Sequence, residues 1–226
     1  RKQLYTTASY KNHDLSNTNL SDNDFSGWNF ANQNLQNSDL TYAVLDSTDL
    51  TNADMRGATL TDIDGTPIYK NTILDDGVIK NFEMASSAAN LTIRKYTPSP
   101  NLASTTMISA KISESDATVY GGATLKLDTG ARLDVVNKKT LTIASNGELV
   151  IDTSASDPTQ IFVESLASLV IDGKLTVNIT EELLENVEYK FDLISFEDGS
   201  IIDIPEECVS LTVLGESFDG AWSCVK

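Results

Sequence analysis

From Leu15 to Leu60 a large apolar residue returns at every fifth position: Leu15, Leu20, Phe25, Phe30, Leu35, Leu40, Leu45, Leu50, Met55 and Leu60, with Tyr10 in the same phase. A step of five fits neither the 3.6-residue period of an α-helix nor the two-residue period of a strand. Two residues ahead of each lies a mixed set: Ala8, His13, Thr18, Asn23, Trp28, Gln33, Ser38, Ala43, Thr48, Ala53 and Ala58. Between the two sets stands Asp or Asn at nearly every step, as in Asp14, Asn19, Asp24, Asn29, Asn34, Asp39, Asp49 and Asp54. Alternation puts the first two sets on one face and the Asp/Asn set on the other. With a turn every five residues and four sides closing a square, each inward set stacks on its equivalent one coil away. Such coils lie about 4.8 Å apart and are joined by parallel backbone hydrogen bonds. The pattern therefore predicts an all-β chain that opens with a right-handed quadrilateral β-solenoid, its structural core running from Leu15 to Leu60.

The stretches "NSDL", "STDL", "NADM" and "GATL" resemble the pentapeptide-repeat family, whose unit is A-(D/N)-L-x-x, and the resemblance implies that same square coil. The departures carry expectations of their own. Trp28, Gln33 and Asn23 stand where the family has Ala, so the first coils should be wider or distorted. Val44 and Thr59 replace the outer Asp or Asn. At "TDIDGTPIYK" Gly65 and Pro67 break the register, so the solenoid and its N-terminal cap are expected to occupy residues 1–66. A transitional β segment, 67–115, should follow. An exposed solenoid end needs a cap.

Beyond it the step becomes eight. Apolar pairs two apart recur as Ala117/Val119, Leu125/Leu127, Leu133/Val135, Leu141/Ile143 and Leu149/Ile151, with Gly130 and Gly147 in the turns. After an insertion of four within "TSASDPTQ", Ile161/Val163 and Leu169/Ile171 resume the step. Short alternating strands at near-equal spacing, without intervening helices, predict a wider parallel β-helix over 116–180, with a β-sandwich as the alternative. Residues 181–226 read as a C-terminal β cap, with strands at Tyr189–Phe196, Ile201–Ile204 and Ser210–Leu214.

Composition narrows the function. The chain has 226 residues and a formal charge of −17, which argues against a surface that neutralises phosphates, and so against nucleic acid as a partner. No apolar run approaches the ~18 residues that span a bilayer. The opening "RKQLYTTASY" lacks an initiator Met and a signal-peptide core, and reads as a mature or excised piece. His13 is the only histidine, so no His-based nucleophile or zinc set is expected and the chain reads as a non-enzyme. A mixed-charge row, Lys126, Asp128, Arg132, Asp134, Lys138 and Lys139, fits a soluble outer face as well as it fits acid–base chemistry. No cofactor is expected. Calcium is a weak alternative, with Asp62, Asp64, Asp75 and Asp76 beside turns as its ligands. Cys208 and Cys224 are expected to bridge in an oxidising compartment and to be two thiols in a reducing one.

The whole order, from "KQLYTTASY" and "SGWNFANQNL" through "LTIRKY" to "YKFDLISFEDG", also resembles a segment of large exported planctomycete-type proteins, many with a PEP-CTERM-like sorting tail. That resemblance implies export and association with the cell surface or matrix, and brings no catalytic residues. The leading expectation is a non-enzymatic extracellular scaffold that forms a homo-oligomer or filament by end-to-end stacking of its solenoids. The alternative is a binding module: a surface adhesin, if Tyr10, Trp28 and Trp222 share an exposed face, or a DNA-mimic inhibitor of topoisomerases, for which so few coils are short.

Overall fold

The computed structural model describes residues 2–86, 89–99, 107–181, 192–204, 209–213 and 216–217. The chain divides into two units. The first comprises residues 1–82 together with a returning segment, 96–110; the second comprises 83–95 and 111–226.

The first unit starts with two short helices, α1 (Lys2–Thr6) and α2 (Ala8–Lys11). Ala8 and Tyr10, which share the repeat's phase, are thus helical, and the first bridged residue is Asp14. From there every side pairs in parallel with the residue twenty positions on: Asp14↔Asn34, Asn19↔Asp39, Asp24↔Val44, Asn29↔Asp49, and so on to Val44↔Asp64. Four five-residue sides therefore close each coil. The apolar column from Leu15 to Met55 is buried and Leu60, in the last coil, is partly buried. Ala43, Ala53 and Ala58 fill the second inward column. An inward Thr keeps its hydroxyl satisfied by donating to the coil above, as Thr48 Oγ1 does to Phe25 O at 2.9 Å and Thr72 Oγ1 to Leu50 O at 2.7 Å.

Two details of the expected solenoid change. The pattern breaks at Gly65 and Pro67, but the ladder slips by one residue and continues, with Asp49↔Ile68 and Asp54↔Ile73 now nineteen apart. Dropping one residue in an exposed turn leaves the bridged positions in register, so stacking survives a break in the motif. An antiparallel pair, β1 (Thr72–Ile73) and β2 (Ile79–Lys80), follows. Nor are the first coils distorted at Trp28 and Gln33, since the twenty-residue register holds there. Both side chains are buried in the end coil, whereas Asn23 points outward and donates to Ser21 O at 2.8 Å.

Each corner of the square needs a residue with positive φ, and the chain supplies one every fifth position: Asn17, Asp22, Gly27, Asn32, Asn37, Tyr42, Ser47, Asn52, Gly57 and Asp62. Gly, Asn and Asp tolerate that conformation, while other residues lose roughly 1–2 kcal/mol in it. Tyr42 is the bulky exception, at φ 59° and 58 % exposed. Tyr42→Asn should raise stability by about 1 kcal/mol, read as a higher urea midpoint at unchanged slope. The outer Asp/Asn column closes the same corners, its side chain accepting the N–H two residues on, as in Asp14–Ser16, Asp24–Ser26 and Asp49–Thr51. The hydroxyl and N–H of Thr41 hold the Asp39 carboxyl below its usual range in this way.

The strands of the second unit are β3 (Asn90–Ile93), β4 (Ala110–Ile112), β5 (Ala117–Val119), β6 (Thr124–Leu127), β7 (Arg132–Val135), β8 (Thr140–Ile143), β9 (Glu148–Thr153), β10 (Gln160–Val163), β11 (Ser168–Ile171), β12 (Lys174–Ile179), β13 (Ile194–Phe196), β14 (Ile201–Asp203), β15 (Val209–Val213) and β16 (Glu216–Ser217). They form three sheets, ordered β4-β7-β10-β13, β5-β8-β11-β14 and β3-β6-β9-β12-β15-β16. Strands stack in parallel, and among the described residues of this unit only the terminal β15–β16 pairing is antiparallel. This is a three-sided β-helix, and the sandwich alternative falls because its sheets would pair neighbouring strands antiparallel.

The step of eight is one side, so three sides give the 24-residue spacing of Ala117↔Leu141 and Leu125↔Leu149. The insertion lengthens the next coil to the 28 residues of Leu133↔Ile161 and Leu141↔Leu169. Thr159 staples that extra corner, its hydroxyl donating to Asp152 O at 2.6 Å. A tight turn at Gly173 then shortens the spacing to 26, as in Leu149↔Leu175. A Cβ on Gly173 would lie 2.2 Å from Ala144 O, so only glycine fits. Every inward pair from Ala117/Val119 to Leu169/Ile171 is buried. Strands β13, β14 and β15 extend the same three sheets.

Candidate functional site

The most concentrated polar chemistry of the first unit lies under the returning segment. Asp54 stands in the outer column, yet it and Arg56 are fully buried. Arg56 Nε donates to Asp54 Oδ1 at 2.9 Å and Nη2 to Oδ2 at 2.6 Å, a two-pronged contact. Gln36 Nε2 donates to the same Oδ2 at 2.9 Å. The remaining prong, Nη1, donates to Ile108 O at 3.2 Å, and the guanidinium sits 5.6 Å from the centre of the Tyr96 ring. Burial pushes the Tyr96 hydroxyl up from its ordinary pKa, against the opposing pull of Arg56.

At the start of the solenoid five aromatics meet. Tyr5 stacks on Trp28 at 4.7 Å between ring centres, and Phe25 and Phe30 pack around them. The hydroxyls of Tyr5 and Tyr10 bond the N–H and C=O of Asn29, two groups of the first coil's free edge. Trp28 is therefore a buried cap residue and Tyr10 is half-buried against Tyr5 and Phe30, so neither forms the exposed aromatic face expected of an adhesin. Trp222 lies outside the described residues. Burial raises the pKa of the Tyr10 hydroxyl.

In the second unit the expected mixed-charge row is divided between sheets. Lys126, on β6, bridges Asp152 at 2.7 Å and Asp128 at 3.3 Å, and Lys174 bridges Glu148 at 2.8 Å. Arg132 pairs with Asp134 at 2.7 Å on β7 and lies over Phe162, while Lys138 sits at the following corner with positive φ. Lys139 is beside it in sequence. Lys126–Asp152 and Lys174–Glu148 are matched across strands, an arrangement that stabilises a sheet face, while Arg132–Asp134 pairs within one strand. The bond to Asp152 raises the pKa of Lys126, and the bond from Lys174 holds Glu148 low. A depressed carboxyl adds stability above its unfolded pKa and loses it as the pH falls through the folded one. Glu148→Gln should therefore flatten the acid limb of the melting curve below about pH 4.5, measured as Tm against pH.

The calcium candidates are dispersed among turns. Asp64 accepts from Gly65 N at 2.7 Å and Asp76 from Val78 N at 2.9 Å, Asp62 has positive φ, and the carbonyl of Asp75 accepts from Gly57. Among the described residues no group of three or more His, Cys, Asp or Glu gathers as a metal site. His13 is an exposed residue in the turn between α2 and Asp14, its Nδ1 3.5 Å from Gln33 Nε2. Cys208 and Cys224 lie outside the described residues. Among the described residues no helix is long and apolar enough to cross a membrane.

Arg56 is the functional-looking residue that sequence reasoning missed. Its signal was present, since it is the only Lys or Arg between positions 12 and 69. A family model for pentapeptide repeats matches residues 24–62 in 8 copies. No curated protein and no solved structure matches the chain.

Proposed function

We propose that this chain is a non-enzymatic structural protein, a β-solenoid scaffold that associates through its ends. Pentapeptide-repeat solenoids are structural or binding modules, and the polar groups described above are engaged in corners, caps and cross-strand pairs. One observation carries the reading. In the last described coil Phe196 is in register with the inward Val163, yet it is 57 % exposed. There β13 and β14 are also the last strands of their sheets among the described residues. An inward apolar position at an unpaired strand edge favours continuation of the ladder by another copy.

The extracellular setting, surface or matrix association and the planctomycete-type arrangement belong to the same proposal and rest on the sequence resemblance alone. Light scattering and electron microscopy of the purified chain test the association. The expected result is concentration-dependent oligomers, weakened at least tenfold by Phe196→Lys at unchanged melting temperature. A monomer across a wide concentration range would overturn it.

A further inference from the structure

We infer that the buried Asp54–Arg56 pair is a register device, which determines the one coil on which the returning segment 96–110 docks. Both described ends of that segment meet the same corner. Asn37 Nδ2 donates to Thr97 O at 2.9 Å and the Tyr96 hydroxyl donates to Asn37 Oδ1 at 3.0 Å. From the other end, Ile108 O accepts from Arg56. Gly57 completes the seat: a Cβ there would lie 2.5 Å from Tyr96 Oη and 2.6 Å from Asn37 Oδ1.

The address is unique within the repeats. The residue equivalent to Arg56 is Ser16, Ser21, Ser26, Ala31, Gln36, Thr41, Asp46, Thr51 or Thr61 in the other units, none of them a cation. After the one-residue slip Lys70 takes that place, but Ile68 stands where Asp54 would, so the Asp–cation pair is not repeated. The backbone ladder repeats every coil and offers no such distinction, so a segment lying along it would otherwise have several near-equivalent seats. A buried ion pair adds little net stability over apolar residues of the same size, but it penalises every arrangement that leaves a charge unpaired. Here the carboxylate is saturated by Arg56 and Gln36, and the spare guanidinium prong and the face of the cation go to the segment.

The test uses the full chain with Cys208→Ser and Cys224→Ser, and Ser109→Cys as a reporter, because Ser109 is buried within the segment. Thiol labelling should be slow in this background. It should accelerate at least tenfold in the double variant Asp54→Leu/Arg56→Met, which retains an apolar fill, and again in Tyr96→Ala, which leaves the solenoid untouched. In both variants the far-ultraviolet circular dichroism of the ladder should persist. Labelling unchanged within twofold in either variant overturns the inference. So does collapse of the ladder in the double variant, which would make the pair a component of the core and not a register device.

Discussion

Arg56→Met alone should cost about 3–5 kcal/mol, the typical loss when one partner of a buried ion pair is removed and the other is stranded. Asp54 would then keep Gln36 and the N–H of residue 56 as donors but lose both charged prongs. Adding Asp54→Leu should return most of that loss, because an apolar pair of similar volume pays no desolvation penalty. The contrast between single and double variant is the measurement. Urea unfolding followed by Trp28 fluorescence, in a Trp222→Phe background, reports on the first unit, where Trp28 is buried. Equal losses in single and double variants would show that burial of the corner matters and the charge does not.

The solenoid was legible because its period is a direct image of its geometry. Each side contributes one inward Leu, Phe or Met, and the column from Leu15 to Met55 is buried as one core. The corner column came only with the structure: Asn17, Asp22, Gly27, Asn32 and Asn37 share positive φ at a step of five, but Tyr42 and Ser47 interrupt its composition. What the residues could not display is anything set by a distant partner. Arg56 occupies an ordinary outer position, and only Tyr96 and Ile108, some 40 to 52 residues on, turn that position inward. The end of the motif also misled: Gly65 and Pro67 interrupt the side-chain pattern, whereas the ladder depends on backbone bridges and absorbs the slip at Ile68 and Ile73. In the second unit the step of eight revealed the sides. The number of sides per coil needed the pairing of Ala117 with Leu141. On β12 the step of eight lands on Val177/Ile179, yet the strand stacks Leu175 and Val177 on Leu149 and Ile151, a shift of two that the step alone does not show.

Trp28→Ala should destabilise the first unit by about 3–5 kcal/mol, as large aromatic truncations in packed cores do. The effect should exceed that of an equally buried Leu, because Trp28 joins two structures. Its indole stacks on Tyr5 of α1 and meets Phe25 and Phe30 of the first coil. Without it the helices lose their seat, and the Tyr5 and Tyr10 hydroxyls no longer hold the N–H and C=O of Asn29. That edge would become a row of unpaired backbone groups, the condition that recruits another strand. Two changes are therefore expected together: a lower urea midpoint for the first unit, and a new concentration-dependent species in light scattering. The second should persist in the Phe196→Lys background, since it arises at the free edge beside Asn29 and not at β13. Loss of stability without new association would mean that α1 and α2 fill space but do not guard the edge, and the role of the two tyrosine hydroxyls would have to be abandoned.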